Sequence, residues 1–177
     1  VQACPTGIDI PTFIHKIATD NVRGSARTIF RDNLLGYSCA RVCPVEVLCA
    51  GSCVYNHWDR PPIEIGRLQR YATENAIKAS PDLLSRNRKP STGKKVALIG
   101  AGPASLAAAG HLALDGHKAV IFEKNAIPGG LNTLFISHTV GGVDTMRTRY
   151  ATWILLASAS LKLAAAPVPP PRPSRMT

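Results

Sequence analysis

The sequence predicts a two-part chain of mixed class, α followed by α/β, and three observations carry the prediction. All five cysteines lie in the first 53 residues, in a stretch whose apolar residues recur at helical spacing. The run from Lys94 to Leu131, KKVALIGAGPASLAAAGHLALDGHKAVIFEKNAIPGGL, reads as a strand, a glycine turn, a helix, a second strand and a second glycine turn. Between the two, residues 81–93 carry Pro81, Pro90, Ser91, Thr92 and Gly93 among several cations, the composition of a linker.

The first part is read as helices. Asp9 suits an N-cap, with Pro11 in the first turn and Phe13, Ile14, Ile17 and Ala18 facing inward. Ser25 is expected to cap a second helix with Ile29 and Phe30 inside, and Asn33 and Gly36 near its end. A loop is then expected to deliver Cys39. A further helix is expected from Ile63 to Lys78, with Ile65, Leu68, Ala72 and Ala76 on one face. Gln69 falls on that same face. An unmet buried amide costs roughly 1–3 kcal/mol, so an inward glutamine needs a partner, and a nearby backbone group is the simplest one.

Cys43, Cys49 and Cys53 form a C-x5-C-x3-C array, CPVEVLCAGSC. Three thiolates this close can converge on one iron–sulfur cluster if the segment coils, and Gly51 gives it room. A fourth ligand is needed, and Cys4 is the candidate from a distant part of the chain. Cys39 reads as a ligand or as a small buried residue. Zinc is the competing metal, although its sites favour paired C-x2-4-C spacings, which the x5 gap does not supply. Disulfides compete less well, given the odd count.

In the second part, Val96, Leu98 and Ile99 suit a buried parallel strand. Gly100-Ala101-Gly102 lets the backbone approach a pyrophosphate, and the helix that follows offers unpaired N–H groups to it. Pro103 suits the first turn, where its missing donor costs nothing. Leu106, Ala107, Ala109, Leu112 and Ala113 continue the helix, and Asp115-Gly116 stops it. Ala119 to Glu123 is the second strand. Glu123 falls 23 residues after Gly100, near the spacing of the acid that binds a ribose hydroxyl. This is the order of a Rossmann-like βαβ unit.

Composition narrows the function class. The net charge is +10 over 177 residues, but the cations are scattered and form no block interleaved with aromatics, so no nucleic-acid partner is expected. No apolar run is long enough to span a membrane and no secretory signal is visible, which makes a cytoplasmic protein the default.

Four separated motifs also agree in order with a known family: CPTGIDIPTFI at Cys4–Ile14, DNLLGYSCARVCPVEVLCAGSCVYN at Asp32–Asn56, PIEIGRLQRYA at Pro62–Ala72 and VALIGAGPAS at Val96–Ser105. Over about residues 1–133 the chain resembles the flavin and iron–sulfur subunit of NAD-dependent dihydropyrimidine dehydrogenase. The small subunit of glutamate synthase is a close relative, and the C-P-V-x-x-L-C spacing favours the former. The resemblance implies an α-helical ferredoxin-like domain over 1–80, a linker over 81–93, a partial Rossmann-like FAD-binding βαβ unit over 94–133 and an unassigned tail over 134–177.

By the same resemblance Cys4, Cys43, Cys49 and Cys53 match the ligands of one [4Fe–4S] cluster, and Cys39 matches a non-ligand position. Gln69 matches an unusual glutamine ligand of a second cluster, which overrides the backbone-partner reading. The remaining ligands of that second cluster would be cysteines upstream of Val1, so at most one complete cluster is expected here. Gly100, Ala101, Gly102, Pro103, Ala104 and Ser105 match the FAD pyrophosphate turn, with Ser105 in place of a third glycine. Glu123 matches the adenosine ribose ligand, while Lys124, Gly130 and Leu131 match the flavin side.

The tail does not align with the family, and a truncated or frame-shifted reading is the simplest account of it. The expectation for 134–177 is a poorly ordered segment with at most a short helix near Trp153 to Ala165. The implied function is electron transfer from NAD(P)H through FAD and a [4Fe–4S] cluster to an FMN-containing partner subunit that reduces uracil or thymine. No catalytic residue is read in this chain, and turnover by the chain alone is not expected. The alternatives are a glutamate synthase-type electron-transfer protein and a non-catalytic iron–sulfur docking module.

Overall fold

Helix α1 (Ile10–Ala18) begins where Asp9 Oδ1 accepts the Thr12 amide across 3.2 Å, with Pro11 in its first turn, as the sequence predicts. Residues 2–79, 83, 88–125, 127–131 and 162–165 are described by this computed structural model. Helix α2 (Val22–Asp32) departs from expectation at its start. Asn21 is the cap, its Oδ1 accepting the Gly24 amide across 2.8 Å. Ser25 lies a turn further in, fully buried, and its Oγ donates to the Phe13 carbonyl across 2.9 Å. A buried hydroxyl needs a partner, and meeting that need ties α2 to α1.

Cys39 is carried by a helix, not by a loop. Helix α3 (Gly36–Val42) follows α2 after only three residues and is capped at its end by Cys43. The reversal depends on Gly36, where an added Cβ would sit 2.5 Å from Ile29 Cγ2. Helix α4 (Ile65–Ala79) matches the expected span closely and buries Ile65, Gln69, Ala72, Thr73 and Ala76. Helix α1 packs on α2, and α2 and α3 pack on α4.

The second part is the expected βαβ unit. Strands β1 (Lys95–Ile99) and β2 (Lys118–Glu123) pair in parallel with Leu98 opposite Ile121, and helix α5 (Pro103–Leu114) connects them and packs against both. Gly116, at φ +84°, ends the α5 turn against the backbone of Pro90, whose carbonyl oxygen would lie 2.0 Å from an added Cβ. Ile99 does not join a core as the sequence suggests. It is 83% exposed, because α5 covers one face of the sheet and Ile99 lies on the other.

Strand β3 (Lys162–Ala165) pairs in parallel along the free edge of β2, giving the order β1-β2-β3. That order is how the first half of a doubly wound sheet is laid down. The helix anticipated over 153–165 is therefore not formed at 162–165, where the segment meets the backbone groups of β2 instead. Residues 153–161, like the rest of the tail, lie outside the described residues.

Two apolar clusters hold the chain together. One gathers Ile8, Phe13, Ile29, Ile65 and Ala72 within the helices. The other joins the two parts: Ala26, Phe30, Tyr37 and Ala76 from the helices meet Ala101, Leu106, Ala109, Ala119 and Ile121 from the βαβ unit, with Leu83 among them. Leu83, assigned by composition to the linker, is 1% exposed. Residues 88–93 are also pinned to the βαβ unit, with the Lys89 amide on the Leu114 carbonyl (2.7 Å) and the Thr92 amide on the Gly116 carbonyl (3.0 Å). The other residues of 81–87 lie outside the described ones. Among the described residues, no helix is long and apolar enough to cross a membrane.

Candidate cluster and dinucleotide sites

Cys43, Cys49 and Cys53 sit on a tight coil between α3 and a 3-10 turn at Val54–Trp58. The Val45 carbonyl accepts the Ala50 and Gly51 amides at 2.8 and 3.2 Å, and the Ala50 carbonyl accepts the Cys53 amide at 3.1 Å. Asn56 clamps the coil from outside, its Nδ2 donating to the Ala50 and Gly51 carbonyls at 3.0 and 2.9 Å. The coil requires a glycine at 51, since a Cβ there would come within 2.1 Å of the Glu46 carbonyl oxygen. A cavity of about 510 Å³ opens beside Cys43, between the coil and the start of α4.

Cys4 reaches the same place from the far end of the sequence. Cys4 and Cys49 pack against one apolar cluster, that of Ile8, Phe13, Ile29, Ile65 and Ala72. The thiols interact electrostatically. Cys43 is pushed well above the ordinary thiol value by its hydrogen bond to Cys39 and by burial, with Cys4 and Cys49 adding to the effect. Cys49 is pushed up by burial, and Cys4 and Cys53 again add to it. Cysteines 4, 43, 49 and 53 thus share one neighbourhood, in which Cys43 and Cys49 resist ionisation beside the other thiols. Such a set is suited to a cationic centre that takes up the thiolate charge. Among the described residues, no three of His, Cys, Asp and Glu converge tightly enough to hold a single metal ion.

Cys39 behaves differently. It is pushed down to about 6, first by a hydrogen bond from Cys43 and further by Asn33, whose Nδ2 donates to its Sγ across 3.1 Å, with burial opposing both. Gln69 is 9% exposed, and its Nε2 donates to the Gly36 carbonyl across 2.8 Å. The backbone partner expected for an inward glutamine is therefore present. The amide oxygen Oε1 accepts no hydrogen bond among the described residues, so a buried acceptor is left open.

In the βαβ unit the two glycine turns pack directly on one another. The Gly129 amide donates to the Ala101 carbonyl across 2.8 Å, and a Cβ on Gly130 would lie 3.0 Å from Gly102 Cα. Gly100 (φ +84°) and Gly102 face open space, with nothing within 4 Å of an added Cβ. Gly102 caps α5 without any side-chain hydrogen bond, so the first-turn amides of Ala104 and Ser105 have no side-chain cap competing for them. Glu123 closes the site. Its Oε2 accepts the Ala101 amide across 2.6 Å and its Oε1 the Asn125 amide across 2.9 Å. These two backbone donors, Ala101 foremost, hold its carboxyl below the usual range against the effect of burial. Lys124 is exposed, as is Leu131.

Sequence reasoning missed three contributors. Asn33 and Asn56 brace the cysteine segment. Arg41, its side chain only 4% exposed, pairs with Glu74, stacks 3.6 Å from the Tyr37 ring centroid and donates to the Tyr37 carbonyl at 2.8 Å. The i,i+4 spacings Tyr37–Arg41 and Cys39–Cys43 signal these contacts once the segment is read as a helix.

Both parts of the chain are similar to known proteins. Residues 1–80 match the family model described as dihydropyrimidine dehydrogenase domain II, 4Fe-4S cluster, and residues 98–157 match that of an NAD(P)-binding Rossmann-like domain. The NAD-dependent dihydropyrimidine dehydrogenase subunit PreT of Escherichia coli is 45% identical over 129 residues, which are 73% of this chain and 31% of that protein. The PreT homolog of Salmonella typhi is 43% identical over 129 residues, 73% of this chain and 30% of that protein. The chain thus spans about a third of the length of the curated relatives it matches. Over 73% of its length the chain is similar to the NAD-dependent dihydropyrimidine dehydrogenase subunits, its helical part matching a 4Fe-4S domain model and its βαβ unit a Rossmann-like one.

Proposed function

We propose that the chain is the electron-transfer part of an FAD- and [4Fe–4S]-containing, NAD(P)H-dependent oxidoreductase of the dihydropyrimidine dehydrogenase type. Cys4, Cys43, Cys49 and Cys53 hold the cluster. The observation that carries this reading is that Cys4, 39 residues before Cys43 in sequence, enters the neighbourhood of the cysteine coil and packs with Cys49 on one apolar core. Gln69, with its open amide oxygen, would be available as a ligand to a second cluster.

The turn Gly100–Ser105 holds the pyrophosphate of FAD on the first amides of α5, and Glu123 takes the ribose hydroxyls on the lone pairs its two backbone donors leave free. The contact of Gly129-Gly130 with Gly102 supports FAD over a nicotinamide in this unit. The second turn extends the site past the ADP portion, toward the place where Lys124 and Leu131 would meet the flavin side. FAD, if held by the Gly100–Ser105 turn and Glu123, would supply the exchange of hydride for single electrons, and a cluster held by Cys4, Cys43, Cys49 and Cys53 would supply their conduction; an apolar core joins the parts of the chain that carry these residues. The acceptor is an FMN-containing partner that reduces uracil or thymine, and the compartment is the cytoplasm, where free thiols persist.

Anaerobic reconstitution with iron and sulfide, followed by FAD titration, tests this proposal. Uptake of both groups is expected. Uptake of neither refutes it, and uptake of a cluster without flavin reduces the chain to an iron–sulfur module.

A further inference from the structure

We infer that the junction between the helical part and the βαβ unit holds a further ligand site, for a small organic anion that carries a carboxylate or phosphate head on an apolar body. A cavity of about 300 Å³ opens there, walled by α1, α2, Leu83 and the end of α5. No residue of the cysteine coil or of the glycine turns lines it.

Three cations supply the head site: Lys16 of α1, with Arg27 and Arg31 of α2. Lys16 Nζ donates to Thr28 Oγ1 across 2.7 Å, and the Thr28 hydroxyl donates onward to the Gly24 carbonyl across 3.1 Å. Thr28 is 4% exposed, so the ammonium is aimed by a buried neutral group that leaves its charge unbalanced. Among the described residues, neither Lys16 nor Arg27 pairs with a carboxylate. Arg31 is partly neutralised, its Nε and Nη2 taking the two oxygens of Asp32 at 3.0 and 3.1 Å. Arg27 and Arg31 stand four residues apart on one helix, where like charges oppose helix formation. An anion between these cations relieves that repulsion, and the Arg27 fork suits a carboxylate or a phosphate.

The rest of the wall is apolar. Phe30 and Leu83 belong to the core that joins the two parts, and Leu114 is half-buried at the end of α5. An inorganic anion gains nothing from this wall, and a neutral ring gains nothing from the cations. The volume is at the low end for small-ligand pockets, which favour such junctions. It suits a single ring with its acidic head. A ligand there touches both parts and stabilises them together against denaturant.

Calorimetric titration of the full chain with benzoate, phenyl phosphate, benzamide and inorganic phosphate tests this, beside Lys16→Gln and Arg27→Gln. Both side chains reach solvent, so the variants keep the fold, which circular dichroism checks. Benzoate and phenyl phosphate are expected to bind at one per chain. Each variant weakens them about tenfold or more, the loss of one charge-assisted contact. Benzamide binds correspondingly more weakly than benzoate, and inorganic phosphate more weakly than phenyl phosphate. Benzamide binding as tightly as benzoate overturns the inference, because the cations are then unused. Inorganic phosphate binding as tightly as phenyl phosphate overturns it as well, because the apolar wall is then unused. Affinities unchanged in both variants place the anion elsewhere, as at the glycine turn, and saturation by none of the probes removes the site.

Discussion

The Ala101 amide and the Glu123 carboxylate, 22 residues apart in sequence, meet across 2.6 Å in the interior of the βαβ unit. The contact fastens the end of β2 to the first glycine turn. It also means that the acid expected to bind a ribose is already held in place by the protein. Its Oε1 takes the Asn125 amide at 2.9 Å, so both oxygens are oriented and each keeps a further lone pair for a hydroxyl.

Glu123→Gln separates these roles. The variant loses a charge-assisted acceptor for the Ala101 amide, and a stability loss of about 1–3 kcal/mol at pH 7 is expected from chemical denaturation. The pH dependence has a definite sign. Folding lowers the Glu123 pKa from its ordinary value of 4.5, so its contribution is present above that value and lost as pH falls through the folded-state value. Wild type and variant should therefore converge as pH falls through that lowered folded-state value. A gap that stays constant from pH 7 to pH 3 contradicts the assignment.

Gly51→Ala tests the cysteine coil. Its new Cβ would meet the Glu46 carbonyl oxygen at 2.1 Å, and a backbone atom cannot move aside as a side-chain end can. Overpacking of this kind costs about 1–3 kcal/mol. The strain falls on the segment that sets Cys49 and Cys53, so iron uptake should drop while the βαβ unit remains folded. Full iron uptake with unchanged stability would mean that the coil is not needed in this form.

Leu83→Ala tests whether the two parts are one cooperative unit. Leu83 is 1% exposed, in the cluster shared by Phe30 and Tyr37 with Leu106 and Ile121. A buried leucine truncated to alanine costs about 2–5 kcal/mol. Circular dichroism and tryptophan fluorescence should report one transition moved to lower denaturant. Separate transitions, with only one displaced, contradict a shared core.

Gln69→Leu distinguishes the glutamine from the four cysteines. The variant gives up the hydrogen bond to the Gly36 carbonyl, a loss of about 1–3 kcal/mol where a buried group is left unmet. The iron and sulfide content of the chain should be unchanged if, as proposed, Gln69 serves a different cluster. A proportionate loss of iron would place Gln69 on the same centre as the cysteines.

The two sites were legible in the sequence to different depths. The βαβ unit was almost wholly so, because glycine spacing, Pro103 at the helix start and an acid at the strand end are local signals with local causes. A segment suited to an iron–sulfur cluster was legible from C-x5-C-x3-C, and Cys4 as the candidate fourth ligand from the need for one more thiolate. The supports were not. Reading Ser25 as a cap hid its bond to the Phe13 carbonyl, because a hydroxyl can serve a helix end or a neighbouring helix and only packing decides. Reading the segment before Cys43 as a loop hid the pairing of Cys39 with Cys43. Composition placed Leu83 in a linker, although its burial depends on two parts of the chain meeting. Ile99 erred the other way: an apolar strand residue is buried only where something covers its face.

The central claim is that Cys4 and the three thiols of the cysteine coil hold one iron–sulfur cluster, and its most direct test is the iron and acid-labile sulfide content of the anaerobically reconstituted chain beside Cys4→Ala. The account predicts about four of each per chain in the wild type, and loss of both in Cys4→Ala. Iron bound without sulfide, or an undiminished content in Cys4→Ala, would contradict it.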